Sequence, residues 1–234
     1  ISGGQFDNVI CSRCDAVVAL PTGSGAAFTA FIREFDAALK NEYAVTDPDV
    51  TLTCAAAETA KAVSAERTVT LVQALTAMPQ GVEAMDTDFP GLVQTSLNMG
   101  VVKLDGDGLH IAFSIRSSIA SRKLMLAQRV RAVAALAGGT VAERGVYPGW
   151  QYKRESQFRD TLLEAYKDLT GKDGVVEATH GGLECGLLIE KIPGLDAVSM
   201  GPELHDVHSV RERLSVPSTE RTYELVCELL RRSC

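Results

Sequence analysis

Two β-rich runs, Leu92 to Leu104 and Leu109 to Arg116, flank the tetrapeptide Asp105-Gly-Asp-Gly108. This feature constrains the chain most. A Gly/Asp turn between β-branched runs reverses direction within a few residues and predicts an antiparallel hairpin. In the second arm Leu109, Ile111, Phe113 and Ile115 fall on one face, and His110, Ala112, Ser114 and Arg116 on the other. Upstream, Val9 to Leu20 reads as a strand. Gly23 to Leu39 reads as a helix, with Phe28, Phe31, Ile32, Phe35 and Leu39 at three- and four-residue spacings. Val50 to Cys54 alternates like a strand, and Glu66 to Met78 has helical period and is closed by Pro79. Downstream of the hairpin, Ser118 is placed to cap a helix running to Leu136, which Gly138-Gly139 stops, and Thr140 to Val146 reads as a last strand. Hairpins mixed with crossover helices predict an α+β sandwich: a mixed or antiparallel sheet with helices on one face.

Tyr147-Pro-Gly-Trp150 interrupts this pattern with a proline, a glycine and the chain's single tryptophan, and a domain junction is expected there. A helix over Ser156 to Leu169 follows, then a strand over Val175 to Thr179 and a glycine turn into Leu187 to Lys191. A strand over Ala197 to Met200, a polar loop over Gly201 to Pro217 and a helix over Ser218 to Arg232 complete the chain. This second part is β/α in character, is short for an α/β domain of its own, and reads as the end of one.

Bulk properties exclude several classes. With 46% hydrophobic and 23% charged residues, the 234-residue chain is neither disordered nor collagen-like nor a coiled coil. A net charge of -7 argues against nucleic acid as the main partner, since phosphate binding needs a basic face. No run approaches the length of a membrane span, and the first residues have neither the basic nor the apolar region of a signal peptide. The six cysteines are sparse for a disulfide scaffold. Cys11-Ser-Arg-Cys14 has no second pair to complete a zinc site and lies in a strand-like run, so reduced thiols and a cytoplasmic compartment are expected.

Four places carry residue types suited to chemistry. His180-Gly-Gly-Leu-Glu-Cys-Gly186 follows an expected strand, where glycines let backbone N–H groups approach a ligand; a tight turn with a surface Glu184 is the plain alternative. His205-Asp-Val-His208 places two imidazoles and a carboxylate together, as a zinc site or as a hydrated loop. Arg116, on the polar face of the hairpin arm, can grip a carboxylate through two parallel hydrogen bonds or stand as a solvated edge charge. Asn8 and Asn98 sit in strand-like runs, where asparagine is depleted and needs a local reason.

Taken in order, Ser2-Gly-Gly-Gln-Phe-Asp-Asn-Val-Ile10, Thr95-Ser-Leu-Asn-Met-Gly100, Ile115-Arg-Ser117, Tyr147-Pro-Gly-Trp-Gln151, His180-Gly-Gly-Leu-Glu-Cys-Gly186 and Ser199-Met-Gly-Pro202 leading to His208-Ser209 resemble the aminoacyl-histidine dipeptidases, which are carnosinase-like zinc metallopeptidases. The resemblance covers essentially the whole chain. It implies an α+β lid over 1–146, lacking its first elements, followed over 147–234 by the C-terminal segment of an α/β zinc-peptidase catalytic domain. It implies His208 as a zinc ligand, Arg116 as the residue that holds the substrate carboxylate, and Asn8 as a lid residue that reaches the substrate, in some relatives across a homodimer. Gly182 and Glu184 match a loop lining the substrate site. His205 is not part of the pattern, and Cys11 stands where the family has a proline.

The upstream ligands and general base of a two-zinc hydrolase are absent before His208. No catalytic residue is therefore expected in this chain, which begins at Ile1 and reads as the C-terminal part of a longer enzyme. By itself it is expected to be inactive. The expected partners are a dipeptide of Xaa-His type, the N-terminal catalytic segment and a second copy through the lid, with neither nucleic acid nor membrane. A non-catalytic dimerisation or small-ligand-binding α+β module is the competing reading.

Overall fold

The computed structural model describes residues 1–58, 61–207 and 209–233. The chain divides into two compact units, residues 1–77 with 99–113, and residues 78–98 with 114–234.

The first unit holds β1 (Ser2–Gly3), β2 (Cys14–Asp15), α1 (Gly25–Glu42) and α2 (Ala65–Ala77). β1 pairs antiparallel with β2 and with Val102 and Lys103. The hairpin turn closes as its composition predicts. Asp105 N–H donates to the Gly108 carbonyl at 3.1 Å, and Asp107 N–H donates to the Asp105 carboxylate at 3.0 Å. Helix α1 begins two residues after the expected Gly23. It has no buried residue, and Phe31 stacks on Phe35 with ring centroids 5.9 Å apart. Asp36 ties α1 to the following loop: its carboxylate accepts from Leu52 N–H at 2.7 Å and pairs with Lys40 at 2.7 Å.

The second unit contains β3 (Gly81–Met85), α3 (Ala120–Leu136), α4 (Gln157–Thr170), α5 (Glu184–Lys191), the two-residue strands β6 (Leu204–His205) and β7 (Arg213–Leu214), and α6 (Val216–Ser233). Strands β4 (Val93–Leu104) and β5 (Leu109–Ser117) form the hairpin and run through both units. β3 pairs antiparallel with β4, with register shifts on either side of Ala84 that mark a bulge. Leu126, Val130 and Ala134, spaced by four, bury one stripe of α3. Ala165 of α4 packs with Leu225 and Leu229 of α6, and Leu162 and Tyr166 pack against them. The α4 cap matches the expectation from sequence. Ser156 Oγ accepts from Arg159 N–H at 3.1 Å, and Gly171 closes the helix with φ +70°.

Several expected elements differ. The strand expected over Val9 to Leu20 contracts to Cys14–Asp15, and Asn8 lies in a turn. The segments Val50 to Cys54, Thr140 to Val146, Val175 to Thr179 and Ala197 to Met200 form no ladder among the described residues. A strand needs a partner for its N–H and C=O groups, and local sequence does not say whether one is at hand. Helix α3 starts at Ala120 with Ile119 as its N-cap and no side-chain cap, so Ser118 does not cap it. Ser117 Oγ instead takes the Ile119 N–H at 3.0 Å and meets the buried Thr95 hydroxyl at 2.8 Å.

Candidate functional site

A cavity of about 300 Å³ opens within the second unit. Its walls come from segments far apart in sequence: Leu92 to Gln94 where β4 begins, Arg116 to Ser118 where β5 ends, Tyr147 to Trp150, Val176 to Leu183, and Asp196 to Ser199. Folding thus brings the Arg-Ser, Tyr-Pro-Gly-Trp and His-Gly-Gly strings onto one cavity.

Arg116 is half-buried at the end of β5, and among the described residues no carboxylate forms an ion pair with it. The other cations of the cavity are engaged. Lys153 lies 3.5 Å from Asp196. Arg159 donates to the carbonyls of Lys153 and Arg154, each at 2.6 Å, and sits 5.0 Å from the Tyr152 ring centre. A half-buried guanidinium that lines a cavity and has no carboxylate paired to it among the described residues is suited to an anionic ligand.

The glycine loop is held from two sides. His180 Nε2 lies 2.7 Å from Ser96 Oγ on β4. The ring also bonds to the backbone of Val93, on the same strand. Burial, and then the nearby Arg116 charge, hold the His180 imidazole below its ordinary pKa, against the Val93 bond that favours the protonated ring. Two residues on, the Tyr147 ring covers Gly182 so closely that a Cβ there would lie 2.4 Å from Cε2. Tyr147 is itself fixed by Lys123, which donates to its carbonyl and sits 5.2 Å from its ring centre. Gly149 in the same motif also excludes a side chain, since a Cβ would lie 2.6 Å from the carbonyl oxygens of Ser117 and Ser118.

Arg116 and Gly182 therefore line one cavity. Glu184 opens α5, is exposed, and stands in its first turn, where a carboxylate favours the helix dipole. Asn8 belongs to the first unit and is exposed. His205 is exposed in β6, opposite Arg213. His208 lies outside the described residues. Among the described residues no group of three or more His, Cys, Asp or Glu is placed to hold a metal ion.

Two residues of the cavity, Asp196 and Gln94, and one beside it, Lys123, carried no signal in the sequence. Asp196 accepts from Ser156 Oγ at 2.9 Å and from Phe158 N–H at 3.2 Å. Burial acts to raise its carboxyl, but those hydrogen bonds and Lys153 outweigh it and hold the group below the usual carboxylate range. Gln94 lines the cavity with its Oε1 buried and unpartnered. Lys123, which pins Tyr147, is held below the ordinary ammonium range by burial, against the opposing pull of Glu190.

No family model matches the chain. Over 231 residues, 98% of its length, it is 31% identical to the cytosol non-specific dipeptidase of Escherichia coli K12 and covers 48% of that protein. The structure of aminoacylhistidine dipeptidase from Vibrio alginolyticus matches 99% of the chain with a TM-score of 0.89 and 29% identity, and 47% of that chain is covered. Aminopeptidase PepT of Bacillus cereus shares the fold over 69% of this chain and 44% of its own, with a TM-score of 0.52 and 18% identity. The chain thus spans about half the length of the relatives it matches.

Proposed function

We propose that this chain belongs to the aminoacyl-histidine dipeptidase family, that it is the lid and the C-terminal catalytic segment of a longer zinc-dependent dipeptidase, and that its cavity holds the carboxylate end of an Xaa-His dipeptide. The observation that carries this reading is Arg116, a half-buried cation on a cavity of dipeptide size with no ion-pair partner among the described residues. A substrate carboxylate would bridge the guanidinium with two charge-assisted hydrogen bonds, while the Gly181–Gly182 loop, whose Gly181 N–H donates to Thr179 Oγ1 at 3.2 Å, lines the same cavity. The division proposed is a lid over 1–146 and a catalytic segment over 147–234. Glu184 is a loop residue of the substrate site, and Asn8 is a lid residue that reaches the substrate, across a homodimer where the lid pairs. The compartment is cytoplasmic.

The described residues do not by themselves assemble a metal centre. His208 is proposed as the one zinc ligand of this chain. The metal pair of the full-length enzyme would polarise the scissile carbonyl and activate water, and no step is assigned to residues of this chain beyond binding and orienting the peptide. The strand-like segments Val175 to Thr179 and Ala197 to Met200, which form no ladder here, are read as strands whose partners lie in the N-terminal catalytic segment. The same reading accounts for large apolar side chains left exposed, such as Phe31, Leu136 and Val175.

The test is hydrolysis of an Xaa-His dipeptide by the full-length protein, beside its C-terminal amide and beside the 234-residue chain alone. The expected result is metal-dependent cleavage by the full-length protein, preference for the free acid, and no cleavage by the chain alone. Equal turnover of acid and amide, or activity of the chain alone, contradicts the proposal.

A further inference from the structure

We propose that His180 is a positioning residue that locks the Gly181–Gly182 loop onto β4 beside Arg116, so that the backbone of the loop and the guanidinium meet the same substrate carboxylate. The inference rests on the carboxylate-binding reading above.

The geometry is specific. Both bonds of the imidazole go to one strand: Nε2 to Ser96 Oγ at 2.7 Å, and a second bond to the backbone of Val93. A backbone bond that favours the protonated ring is one the ring donates, so Val93 supplies its carbonyl and Nε2 is left to accept the Ser96 hydroxyl proton. In its neutral form the ring is thereby fixed in one tautomer and adds no second charge beside Arg116. Ser96 and Val93 precede Arg116 by a full hairpin, and Arg116 stands on the strand that pairs with theirs. His180 therefore refers the loop to the same two strands that carry the guanidinium. On the far side Gly182 is covered by Tyr147, so the loop is pinned at both of its ends. A carboxylate bound by two partners loses affinity steeply when one of them is free to drift, because the geometry must then be organised during binding.

The measurement is steady-state kinetics of the full-length enzyme and of its His180→Ala, His180→Gln and Ser96→Ala variants on an Xaa-His dipeptide and its C-terminal amide. His180→Ala should raise KM for the free acid about tenfold, the loss expected when a hydrogen-bonded contact is no longer held in place, with kcat within about twofold. Hydrolysis of the amide should change by less than about twofold. His180→Gln, which can still accept from Ser96, should recover most of the acid KM, and Ser96→Ala should raise it in the same direction.

Equal effects of His180→Ala on acid and amide, or a kcat loss without a KM change, overturn the proposal. If His180→Ala does not fold, Ser96→Ala decides: an unchanged acid-to-amide ratio overturns it. A wild-type enzyme indifferent to the carboxylate refutes the function proposed above. A wild-type enzyme that prefers the acid, with His180→Ala unchanged, refutes only the role of His180.

Discussion

The ring of Tyr147 lies against the backbone of Gly182, 2.4 Å from where a Cβ would stand. The clash involves the ring of a side chain that is itself held by Lys123, so the ring cannot swing away without breaking that contact. Gly182→Ala in the full-length protein should displace the loop and weaken dipeptide binding, with a strain of about 1–3 kcal/mol typical of overpacking. Pairing it with Tyr147→Leu should restore part of the lost affinity. The double variant being as weak as the sum of the singles would show that Tyr147 is not the obstruction.

The Ser156 hydroxyl caps α4 and donates to Asp196, and the residue is 4% exposed. Its replacement by alanine removes both contacts and leaves an α4 donor without its cap. A destabilisation of about 0.5–2 kcal/mol is expected from the cap alone. Thermal unfolding of Ser156→Ala measures it, and an unchanged transition would show that water substitutes for the cap.

His180 adds a pH dependence to stability. Its folded-state pKa is depressed, by burial first and by Arg116 second, below the 6.5 of the free side chain. Between the two values the unfolded chain binds more protons, so stability rises with pH through that window. The contribution is fully present above about pH 6.5 and is lost as pH falls toward the folded-state value. Asp86, Lys153, Glu177 and Asp196 line the same cavity, and Arg116 is the charge that acts on the imidazole. Denaturant unfolding between pH 5 and pH 7.5 should show a smaller loss of stability for His180→Gln than for wild type. Identical profiles would mean that another group titrates.

His208 is the expected metal contribution of this chain. The His208→Ala variant of the full-length protein should bind less zinc than wild type, as measured by metal analysis after dialysis. Unchanged stoichiometry removes His208 from the ligand set.

The parts of the fold that are local in sequence were legible from it. The Asp105–Gly108 turn, the α1 face around Phe31 and Phe35, the Ser156 cap and the α6 period depend on neighbours within a few residues, and the structure forms each of them. The strands were not legible in the same way. Val50 to Cys54 and Thr140 to Val146 have strand composition without a partner among the described residues, whereas Gly81–Met85 has little composition signal and is a strand because β4 lies beside it. The site divides along the same line. Arg116 and Gly182 stood in recognisable strings, but the Ser96–His180 bond joins residues far apart in sequence, and Asp196 acquires its role only when α4 folds against it.

The central claim is that Arg116 receives the substrate carboxylate. The most direct measurement compares KM of the full-length enzyme and its Arg116→Ala variant for an Xaa-His dipeptide and for the C-terminal amide of that dipeptide. Loss of the charge-assisted pair should raise KM for the acid by the equivalent of about 1.5–3 kcal/mol and leave the amide nearly unchanged. An acid KM that stays within about twofold of wild type, a change smaller than 1 kcal/mol, would contradict the account.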